Sequence, residues 1–184
     1  MTLRSTILLA SSLLVLALGS CRRDSDPVLV AELDSLITHL DSLDQAFRAI
    51  DEDEHRAMDS VFKRQVPALQ QAFVDTLDRD TALLLGNYYR TMTKSLGRLV
   101  KEHAQVRSGL DSSLKKVRDL RRDVDRGLIP MPERRAYTDQ EEKIASDLDR
   151  QVTVLLNSRE NVMRHWAKRD SVDAILADRS GSKP

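Results

Sequence analysis

Apolar residues recur along this chain at alternating steps of four and three. From Leu29 the positions are Leu29, Leu33, Leu36, Leu40, Leu43, Phe47, Ile50, Glu54, Ala57 and Val61, and nine of the ten are apolar. Such spacing holds one narrow stripe toward a partner helix. The tetrapeptide Leu-Asp-Ser-Leu occurs at 33–36 and again at 40–43. Each copy supplies two leucines of the stripe, while its Asp and Ser face away. The repeat is thus the mark of a helix interface. Asp26 before Pro27 suits an N-cap followed by proline in the first turn.

Two more segments follow the same rule. Leu85, Tyr88, Met92, Leu96, Leu99, Val106, Leu110, Leu114, Val117, Leu120 and Val124 form a second apolar face, interrupted by His103. Arg126 then Gly127, with Pro130 and Pro132 beyond, predicts the end of that helix. Thr138-Asp-Gln-Glu141 reads as a capping box, and Ile144, Leu148, Val152, Leu155, Val162, Trp166, Val172 and Leu176 form a third face. Between Ile50 and Thr81 the pattern is weaker. Asp51-Glu-Asp-Glu54 is either a polar turn or a solvated stretch of a continuing helix. Phe62, Val66, Leu69, Phe73 and Leu77 keep helical spacing across Pro67.

These patterns predict an all-α fold: an elongated, antiparallel, coiled-coil-like three-helix bundle. Its first helix is expected to kink near Pro67, or to be split so as to yield a fourth helix, with a turn at Asp78–Thr81. Helices of about 40–46 residues would span roughly 60–70 Å. Composition agrees. Six Gly, five Pro and 4% aromatics in a 32% charged chain do not suit a sandwich or barrel. The acids are 21 Asp against 8 Glu. Asp is the poorer helix former, so these helices depend on burial against one another.

The N-terminus is of another kind. Residues 1–21 read MTLRSTILLASSLLVLALGSC, with one basic residue, Arg4, ahead of an uncharged run. That run is short for a membrane span and is laid out like a secretory signal. Its end, Leu18-Gly19-Ser20-Cys21, resembles the lipobox of bacterial lipoprotein precursors. The resemblance covers residues 1–21 and implies diacylglyceryl transfer to the Cys21 sulfur, cleavage before it, and acylation of the new terminus. Where the source is diderm, Arg22 in place of Asp after the cysteine implies the outer membrane, on its periplasmic or surface face. The expected organisation is a removed signal over 1–20, a lipidated Cys21 with a short tether over 21–26, a bundle over 27–178, and a disordered tail over 179–184. Several acyl chains give a stable anchor, each buried methylene adding about 0.8 kcal/mol.

The charge balance, 29 basic against 29 acidic residues, gives no broad field for nucleic acid. Removing 1–20 takes only Arg4 and leaves 28 against 29. Segment 115–135 is locally basic, with eight positive and four negative residues. Its i,i+4 pairs Lys115–Asp119 and Arg121–Asp125 read as a wet helix face. Cys21 is the only cysteine, so packing alone must hold the mature chain.

Few motifs carry chemistry. Glu52 and His55 form a Glu-x-x-His pair, which in ferritin-like di-iron bundles serves as half of a repeated ligand set. No second copy occurs here, and both positions lie outside the extrapolated stripe, so they are weak surface metal candidates only. Asp78-Arg-Asp80 opens like a calcium loop, but Leu83 and Tyr89 stand where Gly and Glu belong. Tyr137-Thr-Asp-Gln-Glu141 departs at both ends from the Leu-Thr-x-x-Gln motif of extracytoplasmic helical chaperones. The hairpin tip Leu128-Ile129-Pro130-Met131-Pro132 is apolar; Leu128, Ile129 and Met131 either cap the core or meet a partner.

The expected protein is a lipid-anchored, non-catalytic scaffold, adaptor or chaperone-like surface at the cell envelope. It would bind the membrane through Cys21, a protein partner or a second copy of itself, and neither cofactor nor nucleic acid. The alternative is a small-ligand or divalent-metal sensor using the Asp51–His55 cluster or a polar gap around His103.

Overall fold

The computed structural model describes residues 25–181. Its elements are α1 (Pro27–Phe47), α2 (Glu52–Ala72), α3 (Arg79–Thr91), a π-helical turn (Met92–Leu96), α4 (Gly97–Asp125), α5 (Met131–Trp166) and α6 (Arg169–Gly181). No strand occurs among the described residues. Segments α3, the π turn and α4 follow one another without a gap, forming one rod of 79–125.

Cross-rod contacts fix the directions. Arg121 meets Asp34 at 3.0 Å, Arg118 meets Asp41 at 2.7 Å, and Tyr88 meets Gln65 at 2.8 Å. Rising numbers in α1 and α2 therefore face falling numbers in the long rod. The same holds for α5, where Arg98 lies 3.5 Å from Ser158 and Asn161 lies 3.2 Å from Ser95. Arg135 to Glu32 (2.6 Å) and Gln65 to Asp173 (2.6 Å) set α5–α6 parallel to α1–α2. The fold is an all-α antiparallel bundle of three rods, with the first and third each broken once.

The helix ends are written locally. The Asp26 carboxylate accepts from Leu29 N–H (3.0 Å), Asp51 from Glu54 N–H (3.0 Å), and Asp78 from Asp80 and Thr81 N–H (3.1 and 3.0 Å). Gly127 has φ 62°. Leu128 N–H donates to the Asp123 carbonyl (2.9 Å) and Gly127 N–H to that of Val124 (3.0 Å). Both bonds of a Schellman stop are present, and they need the left-handed conformation that glycine adopts cheaply.

Three expectations change. The first rod is interrupted at 48–51 and passes through Pro67, which lies inside α2. Pro67 is exposed, so the Lys63 carbonyl it leaves unbonded faces solvent. The split into a further helix therefore occurs, but earlier. Second, α5 begins at Met131, not at Thr138, with Pro130 as its N-cap and Pro132 in the first turn. Thr138 lies mid-helix and donates to the Arg134 carbonyl at 3.0 Å. Third, α6 continues to Gly181, into the segment read as tail; 182–184 and 1–24 lie outside the described residues.

The break resets the apolar phase. In α1 the buried residues include Leu29, Leu33, Leu40, Leu43 and Phe47, as the stripe requires. Continued unbroken, the stripe reaches 54, 57 and 61. In α2 the buried residues are His55, Met58, Phe62, Gln65, Leu69 and Ala72, one residue later throughout. Ala49 and Ile50 close the turn with bonds to Ala46 (3.2 Å) and Phe47 (3.0 Å) carbonyls, and Ile50 stays in the core. The second face is buried as read: all eleven of its apolar residues are in the core, with His103 among them.

Candidate functional site

Polar side chains gather at the α1–α2 joint. Asp44 is nearly buried and accepts from Arg48 Nε and Nη2 (2.9 and 2.7 Å) and from Arg107 Nη1. Burial pushes its carboxyl up, but the Arg48 hydrogen bonds and the charge of Arg107 outweigh this and hold it below the ordinary carboxylate range. The Arg107 guanidinium lies 4.9 Å from the centre of the Phe47 ring, and that ring stacks on His103 at 4.8 Å. His103 Nε2 faces the Ile50 carbonyl at 3.2 Å, and Nδ1 lies 3.1 Å from Glu52 Oε2. The break leaves the Ile50 carbonyl free for that contact.

Glu52 also accepts from Arg56 Nε at 2.9 Å. The Arg56 bond holds its carboxyl below the ordinary value. His55 corrects the reading of a solvated Glu-x-x-His face: it is 1% exposed. The one-residue phase reset turns it into the core. Its Nδ1 lies against the Asp51 carbonyl, and its Nε2 is buried without a hydrogen-bond partner. Glu52 and His55 are thus engaged by different neighbours. Among the described residues, no group of three or more His, Cys, Asp or Glu is placed to hold a metal ion.

The far end of the bundle carries a cavity of about 240 Å³, lined by Asp80, Leu83, Leu84, Asn87, Tyr88, His165 and Lys168. Behind it, Tyr88 O–H donates to Gln65, whose amide donates to Asp173 Oδ1 at 2.6 Å. Burial pushes the Tyr88 phenol up to about 12. Burial, then the charges of Lys168 and Arg164, lowers His165. At this size the cavity is below the range usual for small-molecule sites.

The opposite end holds the α4–α5 hairpin. Ile129 packs against the core, whereas Leu128 and Met131 are exposed at 48% and 61%. Ile129 thus caps the core, and Leu128 and Met131 do not. Buried Arg134 donates to the Ile129 carbonyl at 2.6 Å, and its Nη1 lies 3.4 Å from the Met131 sulfur. A shallow groove of about 140 Å³ joins Val28, Leu29 and Met131 with Asp26, Glu32, Arg134 and Arg135. Cys21 lies outside the described residues.

Asp44, Arg107 and Val28 were not singled out by sequence. Asp44 and Arg107 are 63 residues apart and meet only through the register of two rods. No described helix is long and apolar enough to cross a membrane. Compared with protein-family models, curated proteins and solved structures, the chain matches none.

Proposed function

We propose that this chain is a lipid-anchored helical bundle of the bacterial cell envelope, working as a non-catalytic scaffold or adaptor outside the cytoplasm. The observation that carries this is positional. The lipobox-like Leu18-Gly19-Ser20-Cys21 ends five residues before α1, whose N-cap and proline are written in the sequence. A signal, an acylation site and a bundle follow one another with almost no spacer. The polar groups of the joint support the non-catalytic part, since Asp44, Glu52 and His103 are engaged by Arg48, Arg107, Arg56 and backbone.

The test is expression of the full chain in a diderm bacterium, followed by intact mass and membrane fractionation. Acylated protein starting at Cys21 and sedimenting with outer membranes is expected. Cys21→Ser should remain unacylated and leave the membrane fraction. An unmodified Cys21 in the wild-type chain rejects the anchor.

The sensor alternative has one feature in its favour, the buried and unpartnered Nε2 of His55. Calorimetry with zinc and manganese tests it; no heat at micromolar metal removes it.

A further inference from the structure

Eight large apolar side chains are markedly exposed among the described residues, and four of them cluster at one end of the bundle. Val28 (69%), Leu128 (48%), Met131 (61%) and Tyr137 (46%) belong to the start of α1, the hairpin turn and the first turns of α5. This is the end from which the chain leads back to Cys21. Only residues 22–26 intervene before Pro27. At about 3.4 Å per extended residue they reach roughly 20 Å. The other exposed apolar group, Phe73, Val74 and Leu83, sits at the far end of a rod of 79–125, on the order of 70 Å away at 1.5 Å per residue.

Part of the tip's backbone is bonded within the chain. Gly127 and Leu128 N–H are bonded inside the turn, and Pro130 and Pro132 have none. The Ile129 carbonyl accepts from Arg134 Nε, and the Pro130 carbonyl accepts from Glu133 and Arg134 N–H at 3.0 and 3.2 Å. Lipid offers backbone groups no partners, so these internal bonds lower the cost of bringing the turn to a bilayer. Two of the nearby acids are paired, Glu32 with Arg135 at 2.6 Å and Asp125 with Arg121 at 3.5 Å. Arg126 and Glu133 are exposed on either side of the tip, and Arg22 and Arg23 precede Asp24 and Asp26 in the tether, so basic side chains are available to headgroups within a mixed-charge surround.

We infer that this end of the bundle is a membrane-contact surface, seating Val28, Leu128 and Met131 at the headgroup–acyl boundary of the bilayer that holds the Cys21 lipid. This rests on the proposed anchor. The contact would hold the rod at a set angle to the membrane and present its far end outward, where a simple tether would let it swivel.

The test uses the full acylated chain. Met131→Cys supplies a thiol for an environment-sensitive fluorophore, since the Cys21 sulfur is blocked by its lipid; Val74→Cys serves as the far-end control. Both proteins are placed in vesicles of phosphatidylethanolamine and phosphatidylglycerol, with and without lipids carrying a shallow spin-label quencher. A blue shift and strong quenching at position 131, with neither at 74, is expected. Adding Leu128→Asp should weaken quenching at 131 without changing Tm, because residue 128 is exposed. A water-exposed, unquenched label at 131 on protein shown by mass to be acylated overturns the contact and leaves the anchor standing. Unacylated Cys21 overturns both. Shielding at 131 that depends on protein density and not on the lipid quencher assigns the face to a second copy and likewise overturns the membrane contact.

Discussion

The Phe47 ring is fully buried at the α1–α2 joint, with His103 stacked on it and Arg107 beside it. Truncating such a side chain removes its burial and leaves a hole that a bundle closes only in part. Phe47→Ala should cost about 3–5 kcal/mol in urea unfolding. Two glycines give opposite expectations. A Cβ on Gly86 meets nothing within 4 Å, so Gly86→Ala should gain about 0.5–1 kcal/mol from helix propensity. A Cβ on Gly109 would lie 2.9 Å from Leu148 Cδ2, so that side chain must move; the propensity gain is offset and Gly109→Ala should fall below the Gly86 variant. Glu141 is nearly buried, and burial raises its carboxyl above 4.5, with the charge of Lys116 opposing in part. A carboxyl raised in the folded state holds its proton longer folded than unfolded, so stability falls as pH rises from 4.5 through the folded value. Glu141→Gln should therefore raise Tm at pH 7, and the advantage should vanish when both are melted near pH 4. Glu141 was read as part of a helix start. Because α5 begins at Met131, Glu141 lies mid-helix, on the buried side of α5.

Among the elements, the joint at 48–51 sets the phase of everything after it in the first rod. The α2 core residues sit one place beyond the continued stripe of α1, and Asp51 caps the new start. Asp51→Ala should cost about 1 kcal/mol, the usual worth of an N-cap. Deleting Asp51 is more telling. His55, Met58, Phe62 and Leu69 then fall on the unbroken stripe behind Phe47 and Ile50. The expected result is one continuous helix, seen as hydrogen-exchange protection across residues 48–52. Persistent exchange there would mean that the His103–Ile50 contact, not the phase, holds the break open. The stop after α4 is simpler. Gly127→Ala places a side chain at φ 62° and should cost about 1–2 kcal/mol by the same unfolding measurement. Arg126-Gly127 announced that stop in the sequence, whereas nothing between Phe47 and Asp51 announced its break unambiguously. Polar residues such as Asp51-Glu-Asp-Glu54 serve equally as an exposed helix face, and only the position of the partner rod tells the two apart.

In the whole molecule, cohesion comes from the shared apolar interior, and the ion pairs that bridge the rods lie mostly at its surface. Arg118–Asp41, Arg121–Asp34 and Arg135–Glu32 have exposed or half-exposed partners, so solvent screens them and they add little to stability. Raising salt from about 0.1 M to about 0.5 M, which shortens the screening length below roughly 10 Å, should shift Tm little. A large fall would mean that these pairs, not the core, align the rods. The all-α class, the caps at Asp26 and Gly127, the eleven-residue apolar face of the long rod, and an N-terminus resembling a lipoprotein signal were legible in the residues alone. These depend on periodicity and on contacts within a few residues, so they are present in the order of the chain. Tertiary structure alone decided the burial of His55, the meeting of Asp44 with Arg107, and the gathering of Val28 and Met131 at the tethered end. Each of those depends on how far one rod slides and turns against another, a quantity set by the sum of many packing contacts and by no single stretch of residues.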